Sequence, residues 1–454
     1  MKKIKLNLFF CGLFCSLFTN ISAQQAITQS FFTQSINKTI VKEYVYPSVV
    51  CYLETKDMNY FAYSDASMNI KYHEIGADVF VQDFKILDDT VYFCGYSNKN
   101  GCDGVWGYFR VTDLNNSTLL YNTYSGFICN NKHVDTLHSV IAYNDKGKKH
   151  IVAVGTATGG SSSKKGCTID ITPSSSGGTY AWDYTIGVTP DNSGEIIKYV
   201  CETKNLVVTA GSYSNAPKVE SYRRHLKNNL FATGGLQDTV WCFPASTWQP
   251  YDRDASKFAI THKSGDVVAT ALHAKHINSA DNYIMYYEND MSNLVSGVVG
   301  TINSLAVSTG LYPLEVQGIV YSTINNTYSL LVNGTSPLPP LYGYASIVAD
   351  IVAGSNNANL HVAKDLRLHS IDNYRFQQNF VCAGTDMPAT PILSLYTQPV
   401  NYNFNCVINT NILGIKPVFA PKCDKRPFTV CHDSFNSVEY KSPLLITPNY
   451  IFCQ

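Results

Sequence analysis

Strong charge is what this chain most lacks. Only 15% of its residues are Asp, Glu, Lys or Arg, and 34 basic residues face 34 acidic ones. No strong field of either sign results, which argues against nucleic acid or an anionic membrane surface as a partner. Long apolar runs are missing beyond the first twenty residues. Stretches such as 298–307 are interrupted by polar side chains, so none reaches transmembrane length. The motifs of nucleophilic, metal and phosphate chemistry are absent too: there is no G-x-S-x-G, H-E-x-x-H, P-loop or EF-hand loop. Helix signals are scarce, and residues 218–235, ending at Gly234-Gly235, are the best candidate for a short helix or loop insertion.

The first 23 residues read as a signal peptide. Lys2, Lys3 and Lys5 precede a short apolar stretch at 6–18, and small residues lead to a cleavage site between Ala23 and Gln24. Removing them leaves a chain with a net charge of −3, as the leader carries three lysines and no acid. The chain is therefore expected to be exported, to the periplasm, the outer-membrane surface or the medium, and to act as a monomer.

Two of the fourteen cysteines fall in the leader, and the even remainder in an exported chain favours disulfides. Cys94 with Cys102 and Cys423 with Cys431 share one spacing and are the candidate pairs. The alternative is that Cys94, Cys201 and Cys382 are buried thiols filling strand positions.

Against these absences stands one recurring phrase. An extended apolar run, a short polar turn, a second apolar run and a glycine or alanine recur at 83–95, 141–155, 199–211, 258–271, 320–334 and 368–384. The closing residues are Gly95, Gly155, Gly211, Ala271, Gly334 and Gly384, separated by 60, 56, 60, 63 and 50 residues. A degenerate period of that length, with a β-hairpin as its unit, predicts an all-β chain folded as a β-propeller. The period gives seven blades over a single domain at 44–454, with six as the alternative, and residues 24–43 read as a lead-in. Asp88-Asp89, Lys146-Gly147, Ser264-Gly265, Asn325-Asn326 and Asp372-Asn373 have the chemistry of tight hairpin turns. A further hairpin at 48–65 lies only half a period before Gly95. That spacing predicts a composite blade, in which strands from 44–75 join strands from the C-terminal end and close the ring. From about residue 398, repeated prolines make the chain irregular.

The phrase Asp88–Gly95, followed by Gly104–Phe109, resembles the repeat of secreted β-propeller proteins of Bacteroides-type gut bacteria, and the leader ending in Ser22-Ala23-Gln24 is similar to signal sequences of that group. The resemblance covers roughly residues 40–400. It implies fold and export, and no reaction.

Chemistry is sparser than architecture. His273 and His276 form an H-x-x-H, with His262 on the preceding strand, but residues three apart on a strand face opposite ways. No ligand spacing completes a set, so neither metal nor cofactor is expected. In a propeller, the loops after equivalent strands fall on one face. Those following the closing glycines carry Tyr96, Trp106, Tyr213, Tyr222, Tyr283 and Tyr342 among Asn and Ser residues. Flat aromatics with amide and hydroxyl neighbours suit a glycan or protein ligand. The chain is thus read as a non-catalytic binding or interaction module. One alternative is a glycan hydrolase or lyase using acids near the axis, drawn from Asp83, Glu195, Glu220, Asp252, Asp254 and Glu315. Another is a structural surface protein.

Overall fold

A computed structural model of the chain describes residues 36–396, apart from short stretches mostly between strands, together with the paired strands Leu444–Thr447 and Tyr450–Phe452. No α-helix occurs among the described residues. The strands form because β-branched and aromatic residues dominate them and polar turns separate them. Thr90–Ser97 is typical. Its residues are buried on both faces, as a strand sandwiched between two layers must be.

Among the described residues between 36 and 396, seven antiparallel units follow one another. Unit one runs from Ile36 to Gly76 and unit two from Val79 to Tyr124, each as four strands in chain order. Unit three covers Lys132 to Tyr184, unit four Glu195 to Trp241 and unit five Phe258 to Ser308. Unit six covers Tyr312 to Lys364, and unit seven has three strands from Leu366 to Tyr396. Units four and five are also joined by one parallel pairing, Trp241 with Val298.

The first strand of each unit touches the first strand of the next, and that of unit seven returns to that of unit one. The apolar core is accordingly divided among the interfaces. Tyr52, Phe61, Phe84, Phe93 and Phe109 pack between units one and two, with Phe61 and Phe109 rings 4.9 Å apart. Separate clusters fill the later interfaces, the largest lying between units five and six around Tyr286, Tyr328, Leu330 and Ile347. A chain of this length is stabilised by neighbour-to-neighbour burial without one large core.

The tight turns fall where their chemistry places them. Asp88, Lys146 and Asn326 take positive φ values of 56°, 47° and 52°, and Gly147 and Gly265 take 80° and 59°. Asp372-Asn373 is an exception. Both residues lie inside the strand Leu366–Tyr374, paired with Val381 and Phe380.

Three further expectations are corrected. The helix candidate contains the strand Ser221–Leu226, paired with residues 206–211. Its run of Arg223, Arg224 and His225 is buried, so polarity concealed a sandwiched strand. Unit one is a complete four-stranded sheet drawn from residues 36–76, in place of a composite blade. The hairpin at 48–65 is its second and third strands, and the first strand, Ile36–Glu43, lies in the stretch read as a lead-in. Lastly, Cys94 is a buried free thiol, as are Cys51, Cys167, Cys201 and Cys382, so no Cys94–Cys102 bridge forms. Cys94 sits mid-strand opposite Trp106, in the interface between units two and three. Cys102, Cys423 and Cys431 lie outside the described residues.

Candidate functional site

The first strands of all seven units line a central channel of about 570 Å³. A repeated irregularity sets what that channel presents. In five units the pairing of first and second strands slips by one residue at equivalent places. The slips lie between Val81 and Asp83, Leu137 and Ser139, Ile197 and Tyr199, Val316 and Gly318, and Leu368 and Ser370. Each is a β-bulge, in which an extra residue leaves the ladder and its side chain is re-aimed. The extra residues are Gln82, His138, Lys198, Gln317 and His369. All are polar and half-buried, and all line the channel. Unit one has its slip at Asn37 and presents the adjacent Lys38, while unit five pairs without one there.

The bulge explains four of the six closing residues of the sequence phrase; in unit six the residue facing Val316, just before the bulge, is Val332, and Gly334 lies two residues further on. Gly95, Gly155, Gly211 and Gly384 are paired with Val81, Leu137, Ile197 and Leu368, the residues just before the extra one. A Cβ on Gly95 would lie 1.8 Å from the Phe80 carbonyl oxygen, and one on Gly155 or Gly384 would lie 2.1 Å from the oxygen of Thr136 or Arg367. Where the bulge is missing, Ala271 opposite Ala259 carries its methyl group without conflict.

The bulges lie toward the start of each first strand, which pairs with the end of the second. The belt of extra residues is therefore nearest the face bearing the loops after each second strand. Within it, the Lys38 amine donates to the Val81 carbonyl (3.2 Å) and to Gln82 Oε1 (3.0 Å). Burial lowers its pKa to about 8; Glu54 and Asp83 oppose the fall, and Lys198 adds to it. His369 Nδ1 accepts the backbone N–H of Thr39 at 3.0 Å, which puts the ring proton on Nε2. Burial, with the cations Arg367 and Lys38, pushes its pKa down to about 4, so the imidazole is neutral at pH 7. His138 Nε2 lies 3.1 Å from Thr156 Oγ1.

Further along the channel, carboxylates join units together. Asp83 accepts from Ser139 Oγ at 2.7 Å, from the N–H groups of Val140 and Phe84, and pairs with Lys42 at 3.8 Å. Burial acts to lower the Lys42 pKa, but Asp83 and Asp372 outweigh it and hold the ammonium above its ordinary value. Asp372 Oδ2 and Ser370 Oγ accept the N–H groups of Glu43 and Val41, each at 2.9 Å. With the His369 bond, three successive edge donors of unit one are satisfied by side chains of unit seven. Glu202, the remaining channel acid, pairs with Lys227.

Two of the aromatic candidates, Trp106 and Tyr222, are core residues. Trp106 lies in a third strand, 1% exposed, packed between units two and three. Tyr222 is fully buried, its hydroxyl 2.6 Å from Thr270 Oγ1 and 3.3 Å from the Tyr287 hydroxyl. Both belong to the core, because third strands are sandwiched as tightly as second ones. Tyr96 stacks on Phe80 at 4.9 Å near the belt end of the channel. Tyr213 closes a second strand, half-buried Tyr283 lies at the start of a third, and Tyr342 lies outside the described residues. His262 lines the channel, whereas His273 is buried within unit five. Of the candidate acids, Asp83 reaches the channel, and Glu315 lies near Arg367 at 3.8 Å. Glu195 opens the first strand of unit four, and Glu220, Asp252 and Asp254 lie outside the described residues.

The belt was missed, although a signal was available. An aliphatic residue followed by Gln, His or Lys stands 13 to 17 residues before the closing glycine in five of the units, and Leu-His-Ser occurs at both 137–139 and 368–370.

No protein-family model matches the chain, and no curated protein matches it in sequence. Solved structures do. The periplasmic gluconolactonase PpgL of Pseudomonas aeruginosa aligns at 9% identity and a TM-score of 0.50, covering 84% of this chain and 97% of that one. The β-propeller domain of the Trilobed protease from Pyrococcus furiosus aligns at 8% identity and a TM-score of 0.48, covering 85% and 99%. Similarity at this level concerns architecture alone: the chain has the β-propeller fold.

Proposed function

We propose that the chain is an exported, non-catalytic binding module that takes a glycan or protein ligand at the belt end of its channel, on the face where the second strands end. The observation that carries this reading is the bulge repeated in five units, each time setting a polar side chain into one channel. Bulges cluster where a side chain is re-aimed for use, and a concave polar site at the axis suits recognition. The same reading takes the units as seven blades, with unit seven closing the ring on unit one through side-chain acceptors.

Catalysis is less well supported. A protease propeller and a gluconolactonase are among the similar folds, yet the channel acids Asp83, Asp372 and Glu202 are each engaged in bonds to neighbouring strands or to Lys227. A glycan array and protein-capture screen, run beside a polysaccharide turnover assay, tests the proposal. Binding without turnover is expected. Turnover that disappears in Asp83→Asn, Asp372→Asn or Glu202→Gln would refute it, as would a lack of any ligand.

A further inference from the structure

Unit seven meets unit one through a row of side-chain acceptors. Thr39, Val41 and Glu43 are alternate residues of the strand Ile36–Glu43, with their N–H groups turned toward unit seven. His369 Nδ1 accepts the first at 3.0 Å, and Ser370 Oγ and Asp372 Oδ2 accept the others at 2.9 Å. Acid acts differently on the three acceptors. A hydroxyl stays an acceptor, and a carboxyl group keeps an acceptor oxygen even when protonated. The imidazole does not. Protonation places an N–H on Nδ1, and a donor then faces the Thr39 N–H.

The charged groups around this ring come from three elements. Arg367 and Asp372 lie on its own strand, Lys38, Lys42 and Glu43 on the first strand of unit one, and Glu315 and the buried Asp350 on unit six. Glu315 lies 3.8 Å from Arg367, Asp372 acts on Lys42, and Asp350 is bonded by Ser329 and His361. Burial of the ring, then Arg367 and Lys38, oppose a positive charge on it. We propose that His369 is an acid-operated latch: protonation of its imidazole breaks the bond to Thr39 and releases the unit-seven wall of the channel from unit one. The sign follows from the ring's two states. Its pKa is about 4 while latched and returns to the ordinary 6.5 once released. The released state binds the extra proton between those values, so the latch holds fully above pH 6.5 and weakens as pH falls. Release becomes roughly thirtyfold more favourable at about pH 5 than at about pH 7.5.

The test is backbone hydrogen–deuterium exchange of the intact protein, read by mass spectrometry from about pH 7.5 to 5 and corrected for the intrinsic pH dependence of free amides. Peptides covering Ile36–Glu43 should lose protection by about tenfold or more across that range. Those covering the second strand of unit one, Val49–Thr55, should keep theirs. His369→Asn sets an amide oxygen near the place of Nδ1 with no proton to gain, and should keep Ile36–Glu43 protected throughout. His369→Ala removes the acceptor and should leave that strand poorly protected at every pH. Wild-type protection that does not change with pH, a loss shared equally by Val49–Thr55, or the same loss in His369→Asn overturns the proposal. Slow exchange of the imidazole C2 hydrogen, followed in the wild type, keeps the test decisive should a variant fail to fold. A His369 midpoint near 4 supports the latch, and one at 6.5 or above refutes it.

Discussion

Replacing Gly95 by alanine adds one methyl group to a second strand that forms β-structure readily, and ordinary propensity favours that change by ~0.5–1 kcal/mol. The bulge reverses the sign. The new Cβ would lie 1.8 Å from the Phe80 oxygen and 2.9 Å from the Val81 Cα, both backbone atoms that no rotamer change can move aside. The first strand must retreat by roughly an ångström, losing about one ladder hydrogen bond and straining the turn of chain around Gln82. A net destabilisation of about 2–4 kcal/mol follows, which for a domain of this size lowers the thermal midpoint by ~2–5 °C. The internal control is Ala271→Gly. That residue has the same place in its unit but faces the unbulged Ala259, so glycine there should destabilise, by ~0.5–1 kcal/mol. Urea and thermal denaturation of both variants measure the contrast. A Gly95→Ala protein as stable as the wild type would refute the steric account of the closing glycine, and with it the structural meaning of the repeat.

Three other outcomes are expected. Lys38 is held below its unfolded pKa, so between about pH 8 and 10 the unfolded chain binds the extra proton and stability should rise with pH, by up to ~1 kcal/mol per unit; Lys38→Gln should lose that component, and identical slopes would contradict it. Glu288 is 1% exposed and bonded by Lys263 at 2.9 Å and by the hydroxyls of Tyr286 and Tyr328. Glu288→Leu strands all three partners and should cost about 3–5 kcal/mol in urea unfolding, whereas a change below 0.5 kcal/mol would show the clasp to be dispensable. Burial pushes the Cys51 and Cys201 thiols up to about 12 and the Cys94 and Cys382 thiols well above their ordinary value. Peptide mapping should find these cysteines unmodified by maleimide in the native protein and labelled after unfolding; rapid native labelling at Cys94 would refute its placement.

Much of the architecture was legible because its causes are local. Hairpin turns such as Lys146-Gly147 need residues that tolerate positive φ, and sandwiched strands such as Thr90–Ser97 need apolar residues on both faces. Both requirements leave marks in sequence. The frame of unit one was misread because its second and third strands imitate the first two strands of the other units, while its first strand, with Lys38 and Lys42 facing the channel, lacks their apolar character. The site was harder to see. A bulge is a relation between two strands, and Gln82 or His369 looks like any polar strand residue until its pairing is known. Two of the aromatic candidates failed for a related reason: Trp106 and Tyr222 follow loops in sequence but lie in third strands, where neighbouring units cover them. Buried Arg223 and Arg224 ran against the usual reading of charge as surface.

Binding at the channel mouth is the claim on which the functional account depends. Its most direct test is the equilibrium affinity of a ligand found by the array or capture screen, measured for the wild type and for Gln317→Trp, which sets an indole into the belt from unit six. Binding weakened by about tenfold or more, at an unchanged thermal midpoint, is the expected result. Equal affinity in the two proteins would place recognition elsewhere and contradict the account.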